Sequence, residues 1–298
     1  MKEQFQGCLL GTAVGDALGF PVKGLTADDI RAAHGEVRDY LDVPAVRSQP
    51  GELADEGQLM LLTLEGICTQ RKLDLPDLVR RLKGWYRSHP KDMTPLTRHV
   101  LERLDAGERW EEASEGASLD STYDPPDGGN LARCVPVALY HAGRIEKLVT
   151  DTTAVSRLTH WDNRAAEAAV ALNFLITKLV VDHGRAFDEL AKFLAHGHPD
   201  VRAAVEKTAS SEHLDASGTA LGALGVAVWA ARTAKDFESG LVDVVALGGA
   251  TDINAAAAGA LLGARFGRTG IPQRWYYKLE GHARIEVLGS RVFEHAGM

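Results

Sequence analysis

Glycines at positions 7, 11, 15 and 19 recur every fourth residue, and this spacing constrains the chain more than any other feature. Residues four apart lie on one face of a helix. A glycine inside a helix costs roughly 1 kcal/mol relative to alanine, so a helix carrying four of them needs compensation. Close packing of a second backbone against the glycine face supplies it. Gly259, Gly263 and Gly267 repeat the device late in the chain, and Gly218, Gly222 and Gly225 approximate it between them. Alanine-rich stretches at 165–171 and 254–264 have the same meaning. The pattern predicts helices packed backbone to backbone in an interior.

The rest of the chain agrees. Residues 59–68, 172–181 and 221–231 are too densely apolar for one-sided surface helices and read as central ones. Residues 242–247 could pass for a strand, but 237–247 also fits a helix ending at Gly248. With 45% hydrophobic residues and no linker in the middle of the chain, the expectation is an all-α fold in a single domain over 1–298. The polar stretch from Glu115 to Asn130, with Pro125 and Pro126, reads as one long loop: a lid, a binding loop or a disordered segment.

A net charge of −8 argues against nucleic acid as the main partner. The best local exception, Arg80, Arg81, Lys83 and Arg87, reads as the wet side of a helix with Leu78, Val79, Leu82 and Tyr86 on its apolar side. Cys8, Cys68 and Cys134 are odd in number, lack CxxC spacing and sit among apolar neighbours. They read as buried thiols of a reducing compartment. The start of the chain resembles neither a signal peptide nor a membrane span, so a cytoplasmic protein without a membrane partner is expected.

Two segments could carry chemistry. After the turn residues Pro50-Gly51, Asp55 and Glu56 fall in or just before the first turn of a buried helix, where free N–H groups and the helix dipole favour negative charge. Gly248-Gly249-Ala250-Thr251-Asp252 repeats the arrangement ahead of a run of alanines. Taken singly, each is a capped helix start. Converging in space, they would concentrate carboxylates that repel unless a proton or a cation relieves them, and such oxygen-rich sites suit magnesium, manganese or calcium. Gly128 and Gly129 could present N–H groups to ribose or phosphate, with Asn130 beside them, or form a plain turn. Asp16 is expected to organise helix ends, and His196-Gly197-His198 to be a loop.

Several segments carry a resemblance. The run from Gly7 to Gly19, the acidic stretch 51–60, Gly128 to Pro136, Ser156-Arg157-Leu158-Thr159-His160 and residues 248–267 resemble, in order, the motifs of the ADP-ribosylglycohydrolases. The resemblance implies an all-α domain with two divalent ions, usually magnesium or manganese, at the base of a cleft. It implies hydrolysis at C1″ of a distal ribose attached to a protein side chain or small group. It also implies that Gly128, Gly129, Asn130 and His160 contact the ligand.

The metal motifs depart from that pattern. Where the family reads Thr-Asp-Asp-Thr, this chain has Ala54-Asp55-Glu56-Gly57; where it reads Asp-x-Asp-Thr, this chain has Ala250-Thr251-Asp252-Ile253. Asp55, Glu56 and Asp252 remain as metal-ligating candidates, with Asp55 and Glu56 also the catalytic ones. Lys23 stands where many relatives carry an acid. Either it lies on the surface, or its ammonium takes a vacated metal position and pairs with Asp55 or Asp252. A weakened site holding one magnesium ion, or none, follows. Three functions stay open: a hydrolase of an ADP-ribose-like glycosidic bond, in a small molecule or a ribosylated protein; an inactive relative that binds ADP-ribose or a related nucleotide; and a structural use of the fold.

Overall fold

The computed structural model describes residues 1–181, 184–208 and 210–296. Among them are sixteen α-helices and no strand, only two isolated β-bridges. In chain order they begin with α1 (Lys2–Gly19), α2 (Ala27–His34), α3 (Asp55–Gln70), α4 (Leu75–Arg87), α5 (Pro95–Asp105), α6 (Trp110–Ser118), α7 (Gly129–Tyr140) and α8 (Ile145–Arg157). The second half holds α9 (Asn163–Val181), α10 (Ala186–Phe193), α11 (Pro199–Glu206), α12 (Ala220–Thr233), α13 (Phe237–Val245), α14 (Thr251–Phe266), α15 (Gln273–Lys278) and α16 (His282–His295).

The two glycine faces meet. Gly7 lies against Gly263, Gly11 against Gly259, Gly15 against Ala255 and Gly19 against Thr251, so α1 and α14 run antiparallel. A Cβ on Gly11 would stand 2.1 Å from the Gly259 carbonyl oxygen, and one on Gly263 would stand 1.9 Å from that of Gly7. Only glycine permits this approach. Every residue of α1 from Phe5 onward is buried, as is α14 from Thr251 to Ala264. Around this pair pack α12, α13 and α9 on the α14 side, and α3 and α16 on the α1 side, while α7 bridges α3 and α9.

The antiparallel register decides where the chemistry falls. It brings the C-terminal end of α1 and the turn after it to the N-terminus of α14. Thr251 fixes the register by donating its hydroxyl to the Gly19 carbonyl at 2.7 Å. Two reciprocal backbone bonds, Gly24 N–H to Gly249 O and Gly249 N–H to Leu25 O, both 2.8 Å, tie the turn after α1 to the one before α14. Gly248 and Gly249 adopt φ of 72° and 73°, and a Cβ on Gly249 would stand 2.2 Å from the Ala216 carbonyl oxygen. Both the left-handed backbone and the close approach require glycine there.

The expected long loop is shorter than its composition suggests. Its first residues belong to α6, which runs to Ser118 because Ala113 and Ala117, four apart, are both buried on one face. The apolar stretch 242–247 is helical, as the alternative reading has it, with α13 ending at Val245. In α4, Leu78 and Leu82 are buried, whereas Arg80 and Arg87 are exposed. Cys8 and Cys134 are buried, Cys68 is half-buried and none is paired. Among the described residues no helix is long and apolar enough to cross a membrane.

Candidate active site

The start of α3 has an unusual cap. Its N-cap residue, Ala54, has no side chain able to accept a hydrogen bond. The acceptor comes from α1 instead: Asp16 Oδ2 takes the Ala54 N–H at 2.7 Å. A Cβ on Gly57 would stand 2.6 Å from that same oxygen, so glycine at 57 admits the carboxylate. Asp16 thus organises a helix end, as its sequence position suggests. The start of α14 likewise has a non-capping N-cap residue, Ala250.

With both helix starts fixed against α1, their acids converge. Asp55 is the first residue of α3, Asp252 the second of α14, and Asp92 lies in the turn ahead of Thr94, the cap of α5. One carboxylate oxygen from each of Asp55, Asp92 and Asp252 lies within 4.8 Å of the others. Asp55 Oδ2 accepts the Thr94 N–H at 3.2 Å, which joins the α5 turn to α3. Glu56 is 1% exposed, and neither of its oxygens has a hydrogen-bond partner. Asp55 Oδ1 and Asp252 Oδ1 are also buried without one.

Lys23 closes the cluster. Its Nζ is 2.6 Å from Asp92 Oδ2 and 2.7 Å from Asp252 Oδ2. Of the two readings of Lys23, the structure has the one in which the ammonium pairs with Asp252. Burial works against its charge, but Asp252, Asp55 and Asp92 outweigh that and raise its pKa. Burial raises Asp55 well above the usual carboxylate range, and Asp92 and Asp252 add to this while Lys23 opposes it. Glu56 rises well above its ordinary value through burial and then the charges of Asp55, Asp252, Asp16 and Asp127. Burial raises Asp252 too, against the pull of Lys23. One ammonium therefore faces more buried carboxylate than it can neutralise. Unpartnered, buried carboxylate oxygens are the donors that hard divalent cations take, and one oxygen each from Asp55, Asp92 and Asp252 lie close enough together to share such an ion.

The start of α7 forms a wall beside this cluster. A Cβ on Gly129 would stand 3.5 Å from Glu56 Oε1, and one on Gly128 would stand 2.9 Å from Ile253 Cγ2. Their N–H groups are already engaged, Gly128 with the Gly218 carbonyl at 2.8 Å and Gly129 with Asp127 Oδ1 at 2.9 Å. Asn130 is buried and donates to Ser156 Oγ and the Ala165 carbonyl, at 2.9 and 2.8 Å. His160 is fully buried as well. Its Nδ1 lies 3.1 Å from Arg133 Nη2, which can only donate, so the ring proton sits on Nε2 and reaches Asp127 Oδ1 at 3.0 Å. Arg133, 1% exposed, also donates to the Gly129 carbonyl, the Ser156 carbonyl and Thr159 Oγ1. Asn130 and His160 thus spend these polar atoms on protein partners, while Asn130 Oδ1 stays buried without a hydrogen-bond partner.

Three residues here stand outside the candidates that sequence reading offers. Asp92 sits in an irregular turn, and the nearby Thr94-Pro95 helix start is the only hint of its place. Asp127 lies in the polar stretch before Gly128, and Arg133 inside an apolar helix. A buried arginine needs several acceptors, and Gly129, Ser156, Thr159 and His160 supply them.

The ADP-ribosylglycohydrolase family model matches residues 1–298. ADP-ribosyl-[dinitrogen reductase] glycohydrolase of Rhodospirillum rubrum is 30% identical, over 94% of this chain and 92% of that one. ADP-ribosylarginine hydrolase Tri1 of Serratia proteamaculans is 26% identical, over 98% of this chain and 79% of the other. A solved structure titled ADP-ribosylglycohydrolase-related protein complex superposes with a TM-score of 0.85 at 30% identity, covering 99% of this chain and 98% of its own.

Proposed function

The chain belongs to the ADP-ribosylglycohydrolase family, and from that premise we propose that it hydrolyses the glycosidic bond between a distal ribose and an attached group, in ADP-ribosylated protein or a smaller ADP-ribose-like compound. The observation that carries the proposal is the convergence of Asp55 and Asp252 from two helix starts, together with Asp92, while buried oxygens of Asp55, Asp252 and the adjoining Glu56 are left unpartnered. A magnesium ion held by Asp55, Glu56 and Asp252 would bind ribose hydroxyls and position the attacking water.

Asp55 and Glu56 do the proton chemistry. As the bond from C1″ to the attached group breaks, one of the two takes a proton from the attacking water and the other gives one to the leaving group. Asp252 is held by Lys23 and orients the floor of the site. Gly128 and Gly129 form the side against which the ribose lies; a Cβ on Gly129 would press on Asp127 Oδ1 at 2.9 Å and reach Glu56 Oε1 at 3.5 Å. Asn130 and His160 contribute from behind that side, by fixing α7 and Asp127.

Release of free ADP-ribose from an ADP-ribosylarginine protein, measured with and without magnesium, tests the reading. Magnesium-dependent release is expected, and release that Asp55→Asn or Glu56→Gln leaves intact would overturn it. A second reading rests on Lys23: by neutralising part of the cluster it would leave a catalytically inactive protein that binds ADP-ribose. Calorimetric binding of ADP-ribose without turnover of any ribosylated substrate would select that second reading.

A further inference from the structure

Asp92, Asp252 and Lys23 form a group whose geometry differs from that of an open metal site. A divalent ion lies roughly 2.0–2.6 Å from its oxygen ligands. Lys23 Nζ already stands 2.6 Å from Asp92 Oδ2 and 2.7 Å from Asp252 Oδ2, so a metal placed between those two oxygens would overlap the ammonium. The lysine is not loosely tethered there. It directly precedes Gly24, whose N–H is bonded to Gly249 O, and Gly249 lies three residues before Asp252. Buried oxygens left without a hydrogen-bond partner include Asp55 Oδ1, both Glu56 oxygens and Asp252 Oδ1. Glu56, 1% exposed and wholly unpartnered, is a second and independent sign that a cation belongs on the Asp55–Glu56 side.

From this arrangement we infer that Lys23 is the resident cation of the cluster: its ammonium permanently fills the place between Asp92 and Asp252, and confines added metal to one ion on the Asp55–Glu56 side. The inference rests on the proposed cation-dependent site but requires no turnover. Lys23 and Asp92 thereby become positioning residues that set metal number. Removing the ammonium while keeping an unbranched side chain, as in Lys23→Met, opens the Asp92–Asp252 place to a second ion.

The test counts manganese ions on the chelator-treated, full-length protein by electron paramagnetic resonance, without substrate. Wild type is expected to bind one ion and Lys23→Met two. Two ions on wild type, equal numbers on both, or none on either would overturn the inference. If Lys23→Met does not fold, wild type alone decides, through acetylation read by mass spectrometry. Lys23 is expected to label at least tenfold more slowly than Lys72, which is 65% exposed, both without manganese and at saturating manganese. Labelling of Lys23 at the Lys72 rate once manganese is added would show that metal expels the lysine, and would overturn the inference. Because the readouts are ion number and labelling, failure here is distinct from failure to hydrolyse a ribosyl bond.

Discussion

Replacing Gly11 with alanine isolates the contact on which the whole arrangement is built. In an isolated helix this change is favourable by about 1 kcal/mol. Here the new Cβ would meet the Gly259 carbonyl oxygen at 2.1 Å, well inside ordinary contact, and its carbonyl carbon at 3.0 Å. The obstacle is backbone in a buried helix, so it cannot rotate aside as a side chain would. Relief requires α1 and α14 to separate by roughly 1 Å, which places the cost at or above the top of the roughly 1–3 kcal/mol range for overpacked cores. After the propensity gain, Gly11→Ala should lose at least about 2 kcal/mol, or roughly 3 °C in Tm for a chain of this size. Gly84 provides the control, because it lies inside α4 with nothing within 4 Å of a built Cβ. Gly84→Ala should gain about 0.5–1 kcal/mol. Urea unfolding with matched m-values measures both. Two variants shifted in the same direction, or a stabilised Gly11→Ala, would refute backbone contact as the basis of the α1–α14 pair.

Other outcomes follow from the site. Asp252→Ala should reduce turnover at least about 100-fold, as loss of a group acting on the transition state does, while its circular dichroism stays that of wild type; wild-type rates would remove Asp252 from the mechanism. Glu56→Gln should raise the Tm of the metal-free protein at pH 8. The folded-state pKa of Glu56 is raised, so its stabilising contribution is fully present below the ordinary glutamate value of about 4.3 and is lost as pH climbs toward the folded value. The gain should therefore shrink toward pH 5, and a gain that grows on acidification would contradict the sign. Burial pushes the Cys134 thiol up to about 12 and, with the charge of Glu65 adding and that of Arg291 opposing, the half-buried Cys68 up to about 11. Native protein at pH 8 should thus react with a thiol reagent far more slowly than the urea-unfolded chain, as followed by absorbance.

The glycine period alone announces the α1–α14 contact, because no other residue tolerates a facing backbone at that distance. The acidic helix starts are legible too, since Asp55, Glu56 and Asp252 each precede an apolar run. What the sequence leaves open is direction. Asn130 and His160 stand in a polar, glycine-rich neighbourhood that suits a ligand loop, yet their side chains turn inward to satisfy Ser156, Arg133 and Asp127. Lys23 is equally plausible on the surface until the Gly24–Gly249 hydrogen bonds pin its turn beside Asp252. Asp92 has no periodicity or motif around it, and only the three-dimensional path of the α4–α5 turn delivers it to the cluster.

A crystal of the metal-free protein soaked in manganese and measured at the manganese absorption edge puts the acidic cluster to its most direct trial. One anomalous peak within roughly 2.0–2.6 Å of oxygens from Asp55, Glu56 and Asp252, with Lys23 still seated between Asp92 and Asp252, is the predicted result. Two peaks with Lys23 swung away, or carboxylates that stand apart and bind nothing, would contradict it.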